Sequence, residues 1–287
     1  MTVLKSQSRS SQILRAVLRD RLGMVGLVIV TLVVACALFA PWIVPHDPNA
    51  MNIQDRLQGP SLQYLLGTDQ LGRDIFSRML MGAQIALKVA LPAVFGAMVI
   101  GMLLGMIAGF GPEWLDSLLM LVFDTIRSFP TVMFALAVVA LVGPSLNTVI
   151  LVVMLTSIPT YARVARTQTM SLRSADFVMA ARAAGTSSPR ILAIHLAPNT
   201  VGVLAVLMAM DIPTVVALEA GLSFLGLGVK PPTPSWGALL KDGYALIRQT
   251  PWLIVAGGLP IIVTTLGFTF FGEALRDAVD PKVKKGR

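Results

Sequence analysis

Two carboxylates in an otherwise apolar stretch are the side chains of this sequence most able to do chemistry. Asp211 and Glu219 lie within residues 191–229, where the only other ionisable side chain is His195. In a helix their spacing places them about 80° apart, so both face broadly the same side. A carboxylate inside a bilayer is costly and by default marks an ion or solute pathway. We therefore predict that both either line such a pathway or are structural, with Glu219 placed to hydrogen-bond the irregular 221–228 backbone.

A hydrolytic centre is the next chemistry that the sequence suggests. Ser223 lies in a Gly-Leu-Ser-Phe segment that superficially resembles a nucleophile turn. A serine nucleophile needs a base within hydrogen-bond reach, but both histidines, His46 and His195, come earlier in the chain. Phe224 also occupies the position where a small residue is wanted. The pattern disfavours an intramembrane enzyme. If the protein were one, Ser223→Ala would abolish its activity.

Metal binding and nucleotide binding find no support in the residue spacing. Two distant histidines and one cysteine, Cys36, do not have the spacing of metal ligands. The sequence also has no Gly-x-x-x-x-Gly-Lys-Ser/Thr segment, so we expect no P-loop in this chain. We predict a chain that is not an enzyme and that holds no metal and no cofactor of its own.

The composition indicates the elements that position these residues. Of 287 residues, 55% are hydrophobic and 13% charged, with mean hydropathy +0.76, whereas soluble domains average about 25% charged. Five runs of the sequence are long enough to cross a bilayer core of about 30 Å. Four of them contain no Asp, Glu, Lys or Arg, and the run at 191–229 contains only the two carboxylates Asp211 and Glu219. They cover residues 23–44, 89–112, 128–162, 191–229 and 252–272.

The run at 128–162 is too long for one crossing, and it divides into two at residues 143–147, with the first of the two beginning near Ser117. The sequence therefore predicts an all-α polytopic membrane protein with six transmembrane helices. Sixteen Lys and Arg residues lie in the segments on the side of the two termini and seven on the other side. This bias predicts that both termini are cytoplasmic. Because the basic residues are scattered between apolar runs, the net charge of +8 points to membrane lipid and not to nucleic acid.

A row of small residues follows one face of the second span. Small side chains let another helix approach closely, either within the chain or across a subunit interface. The row consists of Ala93, Ala97, Gly101, Gly105 and Gly109.

The longest cytoplasmic loop contains a short helical pattern. Phe177, Ala180, Ala181 and Ala184 follow the i, i+3, i+4, i+7 spacing of one apolar helix face, and Gly185 can end the helix. Such a small apolar knob can dock in a groove of another protein.

This loop closely resembles the coupling loop of ABC importer permeases, which contacts the ATPase subunits. Ala180, Ala181, Gly185 and Pro198 match the family pattern in register, whereas Met179 stands where the pattern has Glu. The resemblance assigns ATPase coupling to Phe177, Met179, Ala180, Ala181, Gly185, His195 and Pro198.

Two further segments, residues 66–78 and 219–237, resemble the C-type permease subunit of the dipeptide, oligopeptide and nickel importer family. We predict that the first segment is a structural scaffold or partner contact, with Asp74 and Arg78 spaced as a helical ion pair that is exposed and contributes about 0–1 kcal/mol. Its motif residues are Gly67, Thr68, Asp69, Gly72, Arg73, Asp74 and Arg78.

The resemblance implies a type I ABC importer permease fold in a bacterial inner membrane. It also implies a homologous B-type permease, an external substrate-binding protein and two ATPase subunits or domains that bind ATP and Mg. Dipeptides or oligopeptides are the expected cargo. Nickel or another small solute, or an ion-gradient-driven secondary transporter using the two carboxylates, are the alternatives.

The resemblance and the span positions together predict a division of the chain. The parts are a cytoplasmic segment at 1–22, a first transmembrane helix at 23–44, an external loop at 45–84, a permease core at 85–275 with its coupling loop at 163–195, and a basic cytoplasmic tail at 276–287.

Overall fold

A computed structural model describes residues 15–279, so most of the predicted amino-terminal segment and basic tail lies outside the described residues. Within this range the regular structure is helical, and a short helical turn over residues 15–19 precedes the first long helix. The helices are α1 (Arg21–Ile43), α2 (Ile75–Phe110), α3 (Glu113–Ser128), α4 (Thr131–Val142), α5 (Leu146–Leu172), α6 (Asp176–Ala183), α7 (Ser188–Phe224), α8 (Trp236–Ala245) and α9 (Trp252–Val279).

Five of these helices, α1, α2, α5, α7 and α9, are long and apolar enough to cross a membrane. The pair α3 and α4 supplies a sixth crossing if it is counted as one span, which agrees with the six predicted. This pair is bent by 90°, so the third span consists of two helices. The bend falls at Phe129 and Pro130, where proline lacks the backbone donor that would continue α3.

The helix pair α2 and α5 forms the centre of the fold. The predicted row of small residues on α2 is buried, and its three glycines face α5. A Cβ on Gly101 would lie 2.6 Å from that of Tyr161, and one on Gly109 would lie 2.7 Å from the Arg166 carbonyl oxygen. A Cβ on Gly105 would overlap the backbone of Ala162. The row therefore packs within the chain, which decides between the two interpretations of the sequence.

Helix α1 packs against α9 at the edge of the molecule through glycines of both helices. A Cβ on Gly26 would lie 2.5 Å from the Phe271 nitrogen, and one on Gly267 would overlap Ile29. The rest of α1 exposes large apolar side chains such as Leu32 and Leu38, as expected of a helix that contacts lipid.

Helix α7 contains a π-helical turn over Ile191–Leu196. The turn ends two residues before Pro198, which has no backbone donor for an ordinary helical bond. The Ala197 N–H instead reaches back to the Leu192 carbonyl oxygen, and the Asn199 side-chain amide donates to the His195 carbonyl oxygen at 2.7 Å. Proline and asparagine together account for the local widening of this helix.

Candidate functional site

The helix predicted within residues 163–190 is present as α6, and Gly185 ends it. The Gly185 N–H donates to the Arg182 carbonyl oxygen at 2.9 Å, and the Thr186 N–H donates to that of Ala181 at 3.0 Å. Gly185 has φ of +77°, a conformation that glycine adopts without strain and that most other residues avoid. This pair of bonds is the Schellman arrangement of a helix end, so the glycine fixes the length of α6.

Helix α6 is attached to the bundle through one face and leaves the other free. Val178 is fully buried against Met106, Ile191 and Leu196. On the outward side, the side chains of the predicted docking face, Phe177, Ala180 and Ala184, are exposed, while Ala181 is half-buried. Met179, at the position where the family pattern has Glu, is 51% exposed. The outward face of α6 is therefore open to a partner.

Two aromatic contacts connect α6 to the long helices. The Arg182 guanidinium lies 4.7 Å from the ring centroid of Phe110 at the end of α2. The rings of Phe177 and His195 lie 6.4 Å apart, and His195 belongs to the π-helical turn of α7. A displacement of α6 would therefore reach α2 and α7 together.

The segment predicted to be external, residues 66–78, forms a buried scaffold around Asp69 and is called the external motif below. Its carboxylate accepts from the Arg73 Nε at 2.6 Å and lies 3.8 Å from the Arg78 Nε. The same carboxylate accepts from the Leu71 and Arg73 backbone N–H groups. Asp69 is fully buried and both arginines are at least 95% buried, which shows that the exposure expected for this motif is wrong.

The predicted Asp74–Arg78 ion pair does not form. Asp74 is the N-cap of α2, and its carboxylate accepts from the Ser77 backbone N–H at 3.1 Å and from the Ser77 hydroxyl at 2.5 Å. The spacing of Asp74 and Arg78 fits a helical ion pair. As the N-cap, however, the Asp74 side chain bonds the free backbone N–H of Ser77 in the first turn. Arg78 instead donates to the Pro48 carbonyl oxygen at 2.9 Å and to that of Pro232 at 3.4 Å. It thereby joins the external loop to the segment between α7 and α8.

Two glycines of the motif permit close backbone crossings. Gly67 and Gly72 have φ of +76° and +73°, and a Cβ on either would overlap the carbonyl oxygen of Gln58 or Asn52 respectively. Thr68 lies between them, fully buried, and its hydroxyl accepts from the Gln58 backbone N–H at 2.9 Å. The motif therefore serves to fold the external loop onto itself.

Tyr64, which is buried, forms a further hydrogen bond within the same loop. Its hydroxyl donates to the Asp55 carboxylate at 2.9 Å, and this bond raises the pKa of the tyrosine above its usual value. The hydroxyl thus remains a donor throughout the physiological pH range.

The two carboxylates of α7 have different surroundings. Glu219 is buried and accepts from the Ser223 hydroxyl at 2.7 Å. Asp211 is half-buried and accepts from the hydroxyl of Tyr161 on α5 at 3.2 Å. Ser223 is itself buried within the helix, so its hydroxyl positions a carboxylate and does not face a substrate as a nucleophile would. Among the described residues, no three His, Cys, Asp or Glu side chains form a group that could hold a metal ion.

Polar contacts between α3 and α5 were not foreseen from the sequence. Arg166 holds the Asp116 carboxylate through two bonds of 2.5 Å, and a second ion pair joins Arg163 to Asp124. The signal was present as charged residues within α3, next to the apolar run that begins at residue 128. The partner of each charged residue depends on how the two helices cross, and the periodicity of the sequence does not predict that crossing.

Comparison with known protein families gives two matches that together cover most of the chain. Residues 101–285 match the model of the family described as the binding-protein-dependent transport system inner membrane component. Residues 8–60 match the N-terminal TM domain of oligopeptide transport permease C.

Individual relatives extend over nearly the same length. The dipeptide transport system permease protein DppC of Alkalihalophilus pseudofirmus is 38% identical over 266 residues, which cover 93% of this chain and 88% of the relative. The glutathione transport system permease protein GsiD of Shigella sonnei is 43% identical over 267 residues, with the same shares covered.

A solved structure shares the fold. It shows inward-facing conformations of the MetNI methionine ABC transporter, and it aligns with a TM-score of 0.58 at 17% identity. The alignment covers 71% of this chain and 97% of the solved chain. At this identity the likeness concerns the fold alone, which is that of a type I importer permease.

Proposed function

This chain belongs to the family of binding-protein-dependent transport system inner membrane components, the permeases of ABC importers, and we propose that it imports dipeptides or other short peptides. It would do so as one of two permease subunits that form the pathway. The cargo is proposed because relatives at 38% and 43% identity are named for dipeptide and glutathione transport. The family membership does not favour an ion-driven carrier or an intramembrane enzyme.

The observation that most directly supports this function is the geometry of α6. It is a short helix whose end is set by Gly185, whose inward face is anchored through Val178, and whose outward face is exposed. A rigid, exposed helix joined to two long helices suits the transmission of movement from a partner to the bundle. In the proposed mechanism, closure of the ATPases upon ATP binding displaces α6. Its contacts at Phe110 and His195 carry the displacement to α2 and α7, which alternate between inward and outward openings.

The proposal includes the partners and the location. A homologous B-type permease completes the pathway, an external binding protein delivers the peptide, and two ATPase subunits or domains bind ATP and Mg beneath it. Both termini and α6 lie on the cytoplasmic side of a bacterial inner membrane, because the Lys and Arg residues are concentrated in those segments.

The test is purification of the tagged chain from its native membranes in mild detergent, followed by mass spectrometry and an ATP hydrolysis assay. We expect a second permease, one or two P-loop ATPases and nucleotide turnover. A chain that is repeatedly recovered alone under gentle extraction, without ATP hydrolysis, would overturn the proposal.

A further inference from the structure

An open cavity of about 720 Å³ lies between the end of α2 and the segment that connects α6 to α7. This volume falls within the range of about 300–1,000 Å³ that is usual for small-molecule sites. The cavity borders α6 on the side of the long helices, away from the exposed face assigned to a partner. Its lining therefore calls for an occupant of its own.

Part of the lining is polar and carries one positive charge. It consists of the Arg182 guanidinium and the hydroxyl-bearing side chains of Thr186 and Ser188. Arg182 stacks on Phe110 at 4.7 Å from the ring centroid, and a guanidinium stacked in this way keeps N–H donors at its edge. None of the ion pairs between described residues includes Arg182, and none of the described lining residues is acidic. The polar lining therefore complements an anion.

The rest of the lining is apolar and continues along the surface of α2. Ile107 of α2 and Leu192 of α7 both line the cavity. Ile107 is 41% exposed, and Leu103 and Ile100 before it are exposed as well. Spacings of four and three residues place these three side chains of α2 in one row. An exposed apolar stripe therefore leads from the cavity along a membrane-spanning helix.

The cavity lies where two membrane spans end. The uncharged run of α2 ends at Pro112 and the apolar run of α7 begins at Ile191, and both residues line the cavity. Trp114, two residues after Pro112, is 67% exposed, and tryptophan is enriched where a helix meets the membrane surface. The cavity therefore lies at the boundary between the hydrocarbon core and the lipid headgroups.

We infer that this cavity binds an anionic phospholipid, with the phosphate at Arg182, Thr186 and Ser188 and one acyl chain along the apolar stripe of α2. Basic pockets between the ends of spanning helices suit anionic headgroups, and arginine forms strong, charge-assisted hydrogen bonds to phosphate oxygens. A free phosphate matches the polar lining but leaves the stripe uncovered, whereas a phospholipid covers both. The site is independent of which solute the chain transports.

Photo-crosslinking of a lipid probe tests this site. The assembled complex is placed in nanodiscs of phosphatidylcholine that contain a small fraction of phosphatidylglycerol with a diazirine near its headgroup. Labelled peptides are identified and quantified by mass spectrometry. Competing samples contain excess unlabelled phosphatidylglycerol, further phosphatidylcholine or inorganic phosphate.

Three variants separate charge from packing. Arg182→Gln removes the charge, whereas Arg182→Lys keeps it while losing the planar stacking on Phe110. Arg190→Gln is the matched control, because it removes one positive charge close to the same connecting segment from a residue that does not line the cavity.

We expect labelling of the parent to concentrate on residues 107–114 and 182–192. It should fall about fivefold in Arg182→Gln, since one basic side chain near the membrane surface contributes about that factor to binding an anionic lipid. Arg182→Lys and Arg190→Gln should stay within about twofold of the parent. Only unlabelled phosphatidylglycerol should compete.

Labelling of these peptides that is equal in Arg182→Gln and the parent, or that is absent because a partner subunit fills the cavity, would overturn the inference. An equal fall in Arg190→Gln would show general attraction to basic residues and would also overturn it. Competition by inorganic phosphate would assign the polar lining to a free anion in place of a lipid. The assay requires neither ATP nor transport, so it is separate from the test of the proposed function.

Discussion

Asp69 shows at the residue scale how the external motif acts. Its carboxylate forms ion pairs with the buried Arg73 and Arg78 and also accepts from two backbone N–H groups, so these residues form one folded unit. Arg78 then extends this unit to the carbonyl oxygens of Pro48 and Pro232. Removing one partner from such a buried pair leaves an uncompensated charge, which is costly.

We expect Asp69→Asn to destabilise the protein by about 3–5 kcal/mol, because the side-chain shape is kept while the buried arginines lose their counter-charge. The measurement is thermal unfolding of the purified complex in detergent. Asp47→Asn is the control, since Asp47 is exposed and should unfold like the parent. Equal unfolding temperatures for the two variants would contradict the role given to Asp69.

Glu219 is expected to act through shape and not through its charge. In Glu219→Gln the Oε1 atom remains able to accept from Ser223, so the local fold persists. ATP-dependent dipeptide uptake by Glu219→Gln should stay within about twofold of the parent, since one neutral hydrogen bond replaces a charge-assisted one. Complete loss of uptake, with the complex still assembled, would instead indicate an ion-coupling carboxylate.

At the scale of elements, the contact between α2 and α5 is the rigid part of the bundle. The small residues of α2 face the α5 backbone at three glycines, so a side chain there has no room. By contrast, Gly96 on the same helix faces the flexible end of Met154. A rigid backbone neighbour at Gly105 and a flexible side-chain neighbour at Gly96 therefore allow the same substitution to be compared at the two positions.

We expect Gly105→Val to cost about 1–3 kcal/mol or more, because the added side chain meets the fixed Ala162 backbone. Gly96→Val should cost clearly less, since the Met154 side chain can change its rotamer. The amount of folded protein extracted from membranes and its unfolding temperature measure both effects. An equal decrease in unfolding temperature for the two variants would contradict the role given to close packing at Gly105.

Coupling through α6 depends on the left-handed backbone at Gly185. A β-branched residue in that region costs about 1–3 kcal/mol of strain, so Gly185→Val should disturb the end of α6 and strongly reduce ATP-dependent uptake while the protein remains in the membrane. Gly185→Asn should retain much of the uptake, because asparagine tolerates this conformation.

Gly202→Ala is the control for Gly185, because its Cβ meets open space and its backbone is helical. Uptake at the parental rate by Gly185→Val would show that the helix end does not matter for coupling.

At the scale of the whole molecule, the sequence predicts those features that depend on a local pattern of residues. Uncharged runs locate the spans, and Gly185 marks the end of α6 because one residue type fits that backbone. The α2 row predicts a close helix contact but not its partner, which only the tertiary structure identifies as α5. Likewise, the spacing of Asp74 and Arg78 suggested a pair, but capping of α2 and the folding of the external loop gave each a different partner.

We propose that this permease couples ATP hydrolysis in its partners to peptide entry. The most direct measurement is uptake of a radiolabelled dipeptide by proteoliposomes that contain the purified complex, supplied with its binding protein outside and ATP inside. We predict uptake that requires ATP, stops without the binding protein and is lost in Gly185→Val. Uptake that continues without ATP and follows an imposed ion gradient would contradict the account.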